Sequence, residues 1–138
     1  AGNSLVVFGV TIRVNSLTRF EDHSDADVQR FSLANVAVGD YVEVDAYNDG
    51  SGLLATKLER DDSQGEVQLE GVAQNVAAPN FTVGGVAVTT DGNTEFRDIN
   101  GVTVNAAAFF QAAPGRQVKA RGTLVGNVVL ATRAVLED

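Results

Sequence analysis

One constant offset constrains what this chain can fold into. Position n and position n + 76 match without a gap, pairing Val7 with Val83, Gly9 with Gly85, Val10 with Val86, Thr18 with Thr94, Phe20 with Phe96 and Asp22 with Asp98. The correspondence continues through Val28 and Val104, Gly39 and Gly115, Val42 and Val118, and Gly50 and Gly126, and Leu54-Ala55-Thr56 returns as Leu130-Ala131-Thr132. A fixed period of this kind marks duplicated structural units rather than shared composition. The 138 residues are therefore expected to form two small domains, 1–62 and 63–138. Units of that size bury modest cores and tend to lean on a neighbour.

The second copy shows its elements more clearly. Val67, Leu69, Gly71 and Ala73 alternate with Gln68, Glu70 and Gln74, the period of a half-buried strand. Pro79-Asn80 turns the chain into short strands at Phe81–Val83 and Val86–Thr90, and Asp91-Gly92-Asn93 is a second turn. Asn105 can cap a helix over Ala106–Ala112 that Pro114-Gly115 ends, and a hairpin follows through Gly126-Asn127, with Val118–Leu124 and Val128–Leu136 as its arms. The first copy repeats the order: strands at Leu5–Phe8 and Val10–Val14, a looser helix or loop over Val28–Val38, then a hairpin of Tyr41–Tyr47 and Leu53–Glu59. Asp61–Gly65 reads as a polar link. Short strands, a small helix and a final hairpin give the element order of a five-stranded OB-like Greek-key barrel, so the expectation is an all-β chain of two such barrels in tandem.

Composition narrows function mainly by exclusion. The formal charge of −8 opposes nucleic-acid binding, which draws on clustered Lys and Arg. Residues 1–62 carry five Lys or Arg against eleven Asp or Glu and residues 63–138 five against seven, so the first copy is the acidic one. No apolar run reaches the ~18 residues of a membrane span. With no Cys, disulfides and thiol chemistry are absent; with no Met, Ala1 is expected to be a processed or trimmed end, and export the favoured origin.

The pattern of Gly-Val in an early strand, Thr-x-Phe-x-Asp after a turn, then Val38-Gly-Asp-Tyr-Val-Glu-Val44 or Pro114-Gly-Arg-Gln-Val-Lys-Ala120, and a closing Leu-Ala-Thr-Lys/Arg, spans nearly the whole chain. It resembles a bacterial domain of unknown function that occurs in tandem in exported proteins. The resemblance implies an OB-like barrel and a secreted or cell-surface location, and it carries over no catalytic residue.

The strand Glu66–Val76 opens the second copy, and its counterpart would precede Ala1. The first copy is thus expected to lack an opening strand, which would leave backbone groups along an edge in need of cover. Three explanations stand: the sequence is cut inside the domain, Glu66–Val76 serves both copies, or a neighbouring subunit supplies the pairing. Charge favours the third, because Asp40, Glu43 and Asp45 become Arg116, Lys119 and Arg121 at the same offset. These six residues are the expected subunit interface, with head-to-tail contact building a homo-oligomer or filament. Solvated outer faces, or faces that attract one another within one chain, are the plainer reading of the same charges.

Candidate chemistry is sparse. Glu21, Asp22, His23, Asp25 and Asp27 form the densest polar cluster, and Asp22, Asp25 and Asp27 are a weak Ca²⁺ candidate without the spacing of an EF-hand loop. His23 is the only histidine and reads as an exposed loop residue. Asp45, Asn48 and Asp49 with Gly50 are ordinary turn makers, and the glycines at 84, 85, 115, 122 and 126 lack the order of a phosphate loop. Tyr41 and Tyr47 could present rings outward, whereas Phe20 and Phe96 belong to the cores. The expected function is a non-catalytic structural or assembly module that associates with itself by strand pairing and complementary charge. The alternative is an extracellular module binding carbohydrate or another small ligand, and no cofactor is expected.

Overall fold

The computed structural model describes residues 3–63 and 65–137. The expected chain end at Ala1 and Gln64 of the expected link lie outside these. The chain is all-β, 54% strand with one short α-helix. It divides into two compact units, residues 1–64 and 65–138.

Unit 2 opens with β6 (Val67–Ala77), following five strands in unit 1. It continues with β7 (Asn80–Val83), β8 (Val86–Thr89), β9 (Glu95–Arg97), β10 (Thr103–Val104), helix α1 (Ala106–Ala112), β11 (Gln117–Val125) and β12 (Val128–Glu137). β6 pairs β7, β7 pairs β8, β8 pairs β12, β12 pairs β11, and β11 pairs β6. The pairings therefore return on themselves. The core inside this circuit is Phe81, Val83, Val86, Val88, Val118, Ala120, Val129, Ala131 and Ala134, all 5% exposed or less. Helix α1 begins where the Asn105 side chain accepts the Ala108 N–H at 2.8 Å. It seats Phe109, fully buried, against Phe96 and Phe81, with ring centroids 5.0 and 5.9 Å away. Four phenylalanine rings, 81, 96, 109 and 110, share this cluster in tilted and edge-on contacts.

Unit 1 holds β1 (Ser4–Val7), β2 (Val10–Arg13), β3 (Arg19–Asp22), a single 3-10 turn at Leu33–Asn35, β4 (Tyr41–Asn48) and β5 (Leu53–Asp61). The loose stretch Val28–Val38 keeps only that turn as helix, and β5 runs on to Asp61, two residues past the expected strand end. β3 and its counterpart β9 were not evident in the sequence.

The offset of 76 holds in the pairings themselves. Val7 faces Val10 as Val83 faces Val86. Phe20 runs parallel beside Leu58 as Phe96 does beside Ala134. The register shift of the hairpin falls between Asp45 and Ala46 in one unit and between Arg121 and Gly122 in the other. At that bulge the Thr56 hydroxyl donates to the Asp45 carbonyl (3.2 Å) and the Thr132 hydroxyl to the Arg121 carbonyl (3.1 Å). The Thr18 hydroxyl donates to Ala55 and the Thr94 hydroxyl to Ala131, both at 2.7 Å. These threonines tie the turn before β3 or β9 to the last strand, and each also accepts a backbone N–H from its turn, from Asn15 or Asp91 at 3.0 Å.

Candidate functional site

The units differ where β6 lies. In unit 2, β6 fills a lane between β11 and β7, pairing β11 over Val67–Val72 and β7 over Ala73–Ala77. In unit 1 the counterparts of β11 and β7 are β4 and β1. Among the described residues β4 pairs with β5 and β1 with β2, and neither pairs on its other edge. The circuit that closes in unit 2 stays open in unit 1 along this one lane.

Side chains record the same difference. Val118 and Ala120 of β11 are 0% exposed, and Phe81 and Val83 of β7 are 1% and 3% exposed. Their equivalents Val42, Val44, Leu5 and Val7 are all only half-buried. Identical or similar apolar residues at identical register thus lose their cover in the unit without a β6. An edge presenting free N–H and C=O groups above a part-exposed apolar floor is a ready template for another strand.

The outer face beside this lane is acidic. Glu43 of β4 stands directly across from Glu59 of β5, a like-charge pair of the kind that destabilises a sheet. Glu59 in turn lies 3.2 Å from His23 Nε2, and Lys57 Nζ lies 3.2 Å from Glu21 and 3.7 Å from Glu59. The hydrogen bond from Lys57 holds the Glu21 carboxyl below its usual range, and the neighbouring cations add to this. Two trios bring ligand atoms within 4.8 Å of one another, Glu21 with His23 and Glu59, and Glu43 with Glu59 and Asp61. Either could hold a hard cation through carboxylate oxygens. Lys57 already supplies positive charge to the first.

The acidic loop expected at 21–27 is organised differently from a cation site. The Asp22 side chain is fully buried and accepts from Arg60 Nη2 at 2.6 Å and Nε at 3.1 Å, from the Ser24 hydroxyl at 2.6 Å and from the Val28 N–H at 2.8 Å. The Arg60 guanidinium is the chief reason its carboxyl sits far below the usual carboxylate range, with Ser24 and Val28 adding to it. Arg60 also covers the Phe31 ring at 4.8 Å and donates to the Asn35 carbonyl and to Asp40. Asp22 thus closes the loop onto β5, while the Asp25 N–H donates to Asp62 and the Asp27 carbonyl accepts from Gln29. Sequence reasoning missed this network. Its signal was present: at the offset of 76, Arg60 stands where unit 2 has Leu136, so a cation occupies a position that is core in the other copy.

The six residues expected at a subunit interface separate into four groups. Asp40 is drawn to Arg60 at 3.4 Å. Lys119 lies across from Glu70 of β6, with Nζ 3.8 Å from its carboxylate, and Arg121 lies across from Gln68, donating to it at 3.5 Å. Arg116 is exposed immediately before β11, and its backbone carbonyl accepts from Ala73 of β6. Glu43 and Asp45 are exposed, and among the described residues neither takes part in an ion pair. Tyr47 is 51% exposed and Tyr41 half-buried. His23 is exposed at the end of β3, against the carboxylates named above.

No helix among the described residues is long and apolar enough to cross a membrane. The chain matches the family described as Domain of unknown function (DUF5666) twice, over residues 1–59 and again over residues 70–134, and it belongs to that family. No curated protein and no solved structure matches it.

Proposed function

We propose that this chain is a non-catalytic assembly module whose first unit takes up a β-strand from another polypeptide. One observation carries this reading: among the described residues the lane that β6 fills in unit 2 has no strand in unit 1, and the apolar residues along it are part-exposed where their equivalents are buried. Strand uptake uses main-chain hydrogen bonds for affinity and alternate side chains for selection.

The same reading extends to the fold. Each unit follows an OB-like Greek-key plan, the second as a closed five-stranded barrel and the first as that barrel without its opening strand. Support comes from the circuit β6-β7-β8-β12-β11 and from the helix that lies between β8 and β11 in the chain. A β-solenoid-like stack, the competing reading, would rest on successive parallel coils. Here most neighbours are antiparallel.

Self-association, head to tail to give a homo-oligomer or filament, is one source of such a strand, and it is the first to test. The resemblance to tandem domains of exported proteins supports a role outside the cell. Negative-stain microscopy and sedimentation across a concentration series, at low and high salt, test self-association. Oligomers that grow with concentration support it; uniform monomers throughout would exclude a second copy as donor and direct the search to other chains.

A further inference from the structure

The identity of the strand that fits the open lane can be read from the filled one. In unit 2 the exposed side of the β11–β6 pair sets Lys119 against Glu70 and Arg121 against Gln68, while the inward side sets Val118 against Gly71, Ala120 against Leu69 and Gly122 against Val67. The cations of β11 therefore answer one carboxylate and one amide oxygen on the opening strand. In unit 1 the residues at these two outward positions are Glu43 and Asp45. Inward, Val42, Val44 and Ala46 keep the apolar and small character of Val118, Ala120 and Gly122. The shape of the lane is retained and its charge is inverted.

We propose that the open lane of unit 1 selects a basic strand: an extended segment antiparallel to β4, apolar or small at alternate residues, with Lys or Arg opposite Glu43 and Asp45. This rests on the strand-uptake reading above and narrows its donor. A second copy's β6 does not qualify, because it would bring Glu70 against Glu43 in a lane whose rim already holds the Glu43–Glu59 like-charge pair. A cation opposite Glu43 relieves that repulsion, whereas a carboxylate adds a third negative charge to it. Nor does β11 offer its basic residues as an edge, since it is paired on both sides. The donor is therefore a strand other than β6 and β11, apolar or small on one side and carrying alternating basic residues on the other.

The test offers the lane a strand in cis. A copy of residues 67–76 is fused directly ahead of Ala1, the spacing at which β6 precedes β7 in unit 2. Three versions are compared in the full chain: the β6 sequence, the same copy with Gln68→Lys and Glu70→Lys, and a copy broken by Leu69→Pro. Tyrosine fluorescence reads unit 1 alone, since Tyr41 and Tyr47 are the only tyrosines. The basic strand is expected to raise the urea midpoint above that given by the β6 sequence by on the order of 0.5–1 M, from one cross-strand pair turned from repulsive to attractive and one neutral pair made attractive. The difference should shrink in high salt and reverse when the host carries Glu43→Lys with Asp45→Lys. Equal midpoints for the basic and β6 strands, both above the proline control, would overturn the charge selection and leave strand uptake standing. Both strands matching the proline control would overturn strand uptake as well.

Discussion

Valine at 42 and valine at 118 occupy the same place in two copies of one structure, and truncating each to alanine measures what the sixth strand contributes. Val118 is 0% exposed beneath β6, while Val42 is half-buried beside the open lane. Removing the two methyl groups of Val118 forfeits about 1.6 kcal/mol of transfer free energy at ~0.8 kcal/mol per buried carbon, and the sealed cavity left behind raises the cost to about 2–3 kcal/mol. At Val42 roughly half the transfer term applies and no sealed cavity forms, so the cost is about 1 kcal/mol or less. With a urea dependence of about 1 kcal/mol per M for so small a unit, the midpoint of unit 2 should fall by about 2–3 M and that of unit 1 by about 1 M or less. Tyrosine fluorescence follows unit 1, far-UV ellipticity follows both, and the second transition is the difference between them. The two units are not assumed to unfold together. An equal or larger cost at Val42 would refute the reasoning, because it would mean that unit 1 is covered along its lane as fully as unit 2.

Three further outcomes are expected. Asp22, Glu21 and Asp49 are held below the usual carboxylate range by Arg60, Lys57 and Arg13 respectively, so unit 1 binds fewer protons folded than unfolded in acid; its stability should be complete above about pH 5 and decline as pH falls further, and Asp22→Asn should lower stability at pH 7 while flattening the acid limb of a tyrosine-detected pH titration. Gly122→Ala would set a Cβ 1.9 Å from the Leu130 carbonyl oxygen, and it should destabilise unit 2 by about 1–3 kcal/mol or more in urea unfolding, leaving the tyrosine signal of unit 1 unchanged. Thr18→Val and Thr94→Val each remove the hydroxyl that ties a turn to the last strand, and each should cost its own unit about 0.5–1.5 kcal/mol, with similar values at the two sites because the bonds are the same length.

Much of the fold was legible because its signals are local. The Asn105 cap, the alternation of β6 and the hairpin turn at Gly126-Asn127 each sit within short windows, the offset of 76 then carries them to the other copy, and each appears where the residues place it. The strands β3 and β9 were not legible. They are three or four residues long, too short for a period to show, and their extended form is fixed by parallel pairing with β5 and β12, some 38 residues away. The acidic cluster misdirected for a related reason. Asp22 looked like a cation ligand among its sequence neighbours, but its partner Arg60 arrives from the far end of the unit. The charge reversal between the copies was visible, whereas its meaning required the register: Lys119 answers Glu70 across a strand pair that joins residues 49 positions apart.

Backbone hydrogen exchange of β4 against β11 tests the open lane most directly. With both edges paired, the amides of Gln117–Gly122 should all be protected. In dilute solution, the equivalents Tyr41–Ala46 should alternate, protected where they face β5 and exchanging close to the rate of an exposed chain where they face the lane. Continuous protection along Tyr41–Ala46 at every dilution would contradict the account, for it would mean that unit 1 has no free edge to offer.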